Sequence, residues 1–133
     1  MNEGVAAYIQ QEMKKSEHAL KAAQKLLAES LTEDAISRAY YAVFHSARCA
    51  LKARGIETTT HQGLISQFAL HLVKAGLIEM EYSDILRQEK EDRETGDYET
   101  FVTFSLEEAT KLVKDAERFV KRIQKFLEDS GLR

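Results

Sequence analysis

The segment SLEEATKLVKDAERFVKRIQKFL, residues 105–127, reads as a single amphipathic helix. Ala109, Leu112, Val113, Ala116, Phe119, Val120, Ile123 and Leu127 recur every three or four positions, and mostly charged or polar residues fill the gaps. That period puts all eight side chains on one stripe, which needs another apolar surface to cover it. Ser105 and Glu108 form a capping box at its start, each side chain placed to satisfy a backbone N–H of the first turn.

The same period runs back through the chain and predicts four further helices. The first spans about Glu3 to Glu29, with Ile9, Met13, Leu20, Ala23 and Leu27 on its stripe. A second spans about Glu33 to Arg54, with Thr32 as N-cap and Ile36, Tyr40, Val43, Phe44, Ala47 and Leu51 inward. Gly55 is placed to take the left-handed conformation at its end. Thr58, Thr59 and Thr60 offer caps for a third, in which Leu64, Ile65, Phe68, Leu72 and Val73 form the buried face up to Gly76. The fourth, from about Glu79 to Arg93, has only Met80, Tyr82, Ile85 and Leu86 to bury, and the run QEKEDRE after them is expected to project into solvent or against a partner. Residues 95–104, TGDYETFVTF, are left as an ordered loop or a brief extended piece. The expected architecture is all-α: an antiparallel bundle of about five helices in one domain, residues 1–133, with helices one, two and five sharing the main core.

Composition narrows the function classes. The chain has no proline and six glycines, which leaves long helices unbroken. No run approaches the roughly 20 apolar residues of a membrane span, and the N-terminus lacks a signal-peptide order, so a cytoplasmic protein is expected. Cys49, the single cysteine, has no internal disulfide partner. Net charge is −3 but uneven: residues 77–100 hold nine acids against Arg87, Lys90 and Arg93, whereas residues 32–56 hold Arg38, Arg48, Lys52 and Arg54 against two acids. Such a balance argues against broad binding of duplex DNA, which needs an extended basic surface, and leaves room for a local basic pocket.

The candidate chemistry lies on the second helix, in SRAYYAVFHSARCALKARG. Arg38 and His45 are seven positions apart and so share a face, with Tyr41 between them; about 10 Å of helix axis separates their backbones, a gap that the long arginine side chain shortens. A phosphate fits between them. Four blocks in order carry a family resemblance: Ser37-Arg38-Ala39-Tyr40-Tyr41-Ala42-Val43-Phe44-His45; Lys52 with Gly55; Thr60-His61-Gln62-Gly63-Leu64-Ile65; and Arg93 with Asp97-Tyr98. Over about residues 34–120 the chain resembles the HEPN domain family in its stand-alone prokaryotic form.

The resemblance implies a helical bundle that commonly dimerises, binds nucleotides or RNA, and is often encoded beside a small nucleotidyltransferase in a toxin–antitoxin pair. Some members are metal-independent ribonucleases, marked by an arginine and a histidine with four to six residues between them, often followed by a tyrosine, late in the fold. Here that block reads Arg93-Glu94-Thr95-Gly96-Asp97-Tyr98, with aspartate near the histidine position, a departure that counts against nuclease chemistry there. Arg38 and His45 satisfy the spacing on the second helix instead. There, His45 could take the proton of a ribose 2′-hydroxyl while Arg38 stabilises charge on the phosphoryl oxygens, with a second histidine supplied by a dimer.

Structural roles compete with each of these. Arg38 is either a ligand contact or the partner of Asp97 in a polar network with Tyr98 or Tyr41; His45 is either a base or a satisfied interior histidine. His61 falls in the first turn of the third helix, where it either favours an anion or covers an end capped by Thr59 or Thr60. Tyr40 and Phe44 are core or dimer residues before they are stacking platforms. His45 and Cys49 share a face, but two ligands do not make a metal site, and no metal or cofactor is expected. The expected ligand set is therefore Arg38, Tyr41, His45, His61, Arg93, Asp97 and Tyr98.

Overall fold

A computed structural model describes residues 3–132. Five α-helices follow one another: α1 (Glu3–Ala28), α2 (Thr32–Ala53), α3 (His61–Phe68), α4 (Met80–Tyr98) and α5 (Leu106–Asp129). No strand occurs among the described residues, and no described helix is long and apolar enough to cross a membrane. The all-α bundle expected from the periodicity is the fold observed.

Helix α2 is the central rod, and it carries two buried stripes about 120° apart around its axis. Ala35, Ala39, Ala42, Ser46 and Cys49 recur at alternating spacings of four and three, all buried. These small side chains let α1 approach closely: the Ser16 hydroxyl donates to the Ala42 carbonyl at 2.6 Å, and the Cys49 thiol lies 3.5 Å from the Ile9 carbonyl. The second stripe, Ile36, Tyr40, Val43, Ala47 and Leu51, is buried on the side of the remaining helices. All eight predicted core residues of α5 are buried as well, with Phe119 packed between the rings of Phe68 and Tyr82. Burial of each large side chain of this kind contributes about 1.5–3 kcal/mol.

The ends of the helices agree with the sequence in part. Ser105 and Glu108 form the capping box, Thr60 accepts the Gly63 N–H at 2.9 Å, and Gly55 and Gly76 take positive φ after their helices. Thr32 does not cap α2: it is the first helical residue, after Leu31, and its hydroxyl donates to the Glu33 carboxylate. Glu33 in turn accepts the Phe104 N–H at 3.1 Å, which pins the connection before α5. After α3 the chain widens into a π-turn, Ala69–Val73, which carries Leu72 into the core.

Two expectations about α4 need correction. It runs on to Tyr98 instead of stopping near Arg93, supported by the i,i+4 pairs Lys90–Glu94 and Arg93–Asp97. Nor is QEKEDRE wholly turned outward, because Glu89 and Arg93 are buried. The reason is phase: positions 85, 89 and 93 lie on one face, so the face that buries Ile85 continues into these two polar residues.

Candidate functional site

The shared face predicted for α2 gathers around Tyr41, which is half-buried. The Arg38 guanidinium lies 5.2 Å from its ring centroid, and Arg93 reaches the same ring at 5.7 Å from α4. His45 and His61 complete the surround, with ring centroids 6.3 and 6.4 Å from that of Tyr41. Arg93 also lies 5.1 Å from the ring of Tyr40, and Asp97 holds its guanidinium at 3.5 Å. Each of these cation–ring contacts favours a fixed guanidinium plane. The extension of α4 past Arg93 is what brings Asp97 into range.

Six of the seven predicted ligand residues are thus neighbours across three helices. Tyr98, the seventh, is 74% exposed and makes none of the ring or ion-pair contacts of this cluster. The predicted Arg38–Asp97 partnership does not form, since Asp97 is taken by Arg93 and Arg38 lies against Tyr41. One turn apart on α4, Arg93 and Asp97 meet without crossing to another helix, whereas Arg38 would have to.

His61 is held mainly by aromatic neighbours. Its ring stacks on Phe44 with centroids 4.6 Å apart, and its Nδ1 is hydrogen-bonded to the Tyr40 hydroxyl. Burial lowers the His61 pKa, and the charges of Arg93 and Lys90 lower it further against an opposing effect of Glu94. Burial raises that of the Tyr40 phenol, with Arg93 opposing. Both directions assign the proton to Tyr40 as donor and leave His61 neutral, so His61 Nε2 is the nitrogen left for any ligand.

Helix α1 adds a residue that sequence reasoning does not single out. Glu12 is buried, and its carboxylate accepts from His45 Nδ1 at 2.9 Å, with Arg48 Nε at 3.7 Å. Burial pushes the Glu12 carboxyl up, but the His45 hydrogen bond and the charges of His45, Arg48 and Lys15 outweigh it and hold the pKa below its ordinary value. A carboxylate on Nδ1 fixes the ring orientation and frees Nε2. Arg48 is braced in turn against the rings of Phe44 and Tyr8. The signal for Glu12 was its phase, since Ile9, Glu12, Met13 and Ser16 form one buried stripe.

Arg38 and His45 open together onto a groove of about 440 Å³ between α1 and α2, which Lys14, Lys15 and His18 also line. The two residues therefore border one water-reachable hollow. His45 keeps 18% of its side-chain surface exposed there, against 8% for Glu12 beneath it. Cys49 is buried in the α1–α2 seam, one turn beyond His45. Among the described residues no group of three or more His, Cys, Asp or Glu side chains is placed to hold a metal ion.

The HEPN domain model matches residues 9–126, which takes in every element of this site. The chain belongs to the HEPN domain family. Among its HEPN relatives, a Methanocaldococcus jannaschii protein named as a candidate toxin is 36% identical over 129 residues, covering 97% of this chain and 96% of the relative. A UPF0332 protein of Thermotoga maritima is 33% identical, covering 80% of this chain and 81% of its own. A second candidate toxin of M. jannaschii is 26% identical over 115 residues.

Proposed function

We propose that this HEPN domain binds a nucleotide or single-stranded RNA on the face centred on Tyr41, and that it acts in the cytoplasm as a homodimer beside a small nucleotidyltransferase. The observation that carries the reading is the pair of guanidinium groups, Arg38 and Arg93, set against one tyrosine ring from two different helices. A phosphate can bridge two such groups in charge-assisted hydrogen bonds, and the Tyr41 ring offers a surface for a base. The toxin names of the relatives are consistent with a ligand of this kind. Labelled ATP and a short single-stranded RNA are the probes. Arg38→Ala is expected to weaken binding by about 10- to 100-fold, the loss of a hydrogen bond to a charged group. Equal binding by the wild type and the variant, or none by either, would overturn the reading.

Support for a dimer comes from the stretch between the last residue of α4 and the first of α5. Tyr98, Phe101, Val102 and Leu106 are all exposed, Phe101 at 98%, and they follow directly on Asp97. An apolar run of this sort next to a ligand face suits contact with a second copy. Phe101→Asp is expected to shift the protein from dimer to monomer in light scattering; an unchanged mass would place the contact elsewhere.

A second reading is favoured by one observation, the Glu12–His45 hydrogen bond. A buried carboxylate that orients an imidazole toward a groove holding an arginine is the arrangement of a general base beside a phosphate stabiliser. On this reading the protein is a metal-independent endoribonuclease using Arg38 and His45.

A further inference from the structure

The groove that Arg38 and His45 border is lined from the α1 side as well, and its charged lining has a single sign. Lys14 and Lys15 lie on adjacent positions of α1, with His18 one turn on, about 6 Å further along the axis. Across from them, Arg38 and His45 span about 10 Å of α2. No carboxylate lines the groove; Glu12 lies beneath it, already engaged by His45 and Arg48, and Glu17 borders Lys14 in the adjoining hollow. Lys14, Lys15 and Arg38 form no ion pair with a carboxylate among the described residues. Some long cations elsewhere are matched, Arg118 with Glu81, Arg122 with Glu79 and Lys111 with Asp115, and others are not, so what sets the groove apart is that its cations share one lining without an acid.

Three unmatched cations along one groove make a track rather than a point. Arg38 belongs to both regions, since its guanidinium rests on Tyr41 while its side chain lines the groove. We infer that the α1–α2 groove is a second phosphate-binding region, continuous with the Tyr41 face, and that Lys14 and Lys15 there contact successive phosphodiesters of a single strand. The inference rests on the ligand face proposed above and makes it specific: the preferred ligand is an oligonucleotide, not a mononucleotide. Helix α4 carries Glu91, Asp92 and Glu94 beside Arg93, a charge that disfavours a polyanion along that helix, so the strand is expected to run toward α1.

The test compares uridine monophosphate, octauridylate and inorganic tripolyphosphate by fluorescence competition over a range of salt. Octauridylate is expected to bind more tightly than the monophosphate. Each phosphate neutralised on a single strand contributes about −0.7 to the slope of log affinity against log salt, so three cations predict a slope near −2. In the double variant Lys14→Gln, Lys15→Gln that slope is expected to become shallower by about 1.4, and the advantage of length to disappear. Both lysines are exposed, so the variant keeps the fold. An unchanged slope in the variant, or equal affinity for monomer and octamer, would overturn the inference while leaving Arg38-dependent monophosphate binding intact. Tripolyphosphate binding as tightly as octauridylate would also overturn it, by showing a polyanion site without preference for a strand. No binding by any probe would remove the Tyr41 face along with the groove.

Discussion

His45→Ala is expected to slow RNA cleavage by about 10²- to 10⁴-fold, the usual loss when a general base is removed. The expectation follows from the ribonuclease reading. Glu12 holds Nδ1, which leaves Nε2 as the His45 nitrogen that would accept the proton of a ribose 2′-hydroxyl. The 2′-oxygen then attacks phosphorus, Arg38 stabilises the added charge on the phosphoryl oxygens, and the bond from phosphorus to the 5′-oxygen breaks as that oxygen takes a proton from the second histidine that a dimer would supply. The products are a 2′,3′-cyclic phosphate and a 5′-hydroxyl. Purified protein and single-stranded RNA are incubated in EDTA, and the new ends are identified chemically. Intact RNA with the wild type, or equal rates for wild type and His45→Ala, would sink the ribonuclease reading and leave ligand binding standing. Thermal melts of both proteins separate lost chemistry from lost fold.

Glu89→Leu is expected to stabilise the protein by about 1–3 kcal/mol at pH 7, a gain of several degrees in melting temperature. Glu89 is 0% exposed, and neither carboxyl oxygen has a hydrogen-bond partner among the described residues. Burial raises its pKa well above the ordinary carboxylate value of 4.5; the charges of Asp115 and Asp92 add to the effect and Lys111 opposes it. In the unfolded chain the same group ionises near that value. As pH rises past it, the unfolded state releases a proton that the native state retains, so stability falls. The advantage of the leucine variant should therefore grow from about pH 5 to about pH 8. A variant that melts no higher than wild type, or a difference flat across that range, would contradict the account. Glu89→Gln should gain less, because a buried amide still lacks partners.

Glu89 also shows where sequence reasoning stopped. The fold was legible because apolar residues at three- and four-residue spacing state which side of each helix is covered, and α5 states it most plainly. Polar residues on the same phase are silent by that criterion. Glu12 and Glu89 each continue a buried stripe, after Ile9 and Ile85, yet by residue type both read as solvated. Within the candidate site, Arg38, Tyr41 and His45 were legible because they lie on one helix, where spacing alone determines who shares a face. Arg93, Asp97 and His61 could be named from the family blocks, but which of them meet depends on how α3 and α4 settle against α2. The exchange of Arg38 for Arg93 as the partner of Asp97 is a difference of that kind: local i,i+4 geometry prevailed over a pairing that needed two helices in register.

The row of alanines along α2 has an implication beyond packing. An imidazole and the carboxylate that steers it stand on separate helices, and what sets the gap between them is the thickness of side chains that take no part in the chemistry. Ala39 and Ala42 act as shims: an added methyl or two at either would wedge α1 outward, slacken the carboxylate's grip on the ring, and widen the cationic channel. On the ribonuclease reading, reactivity in this small bundle would thus be gauged by its least reactive residues.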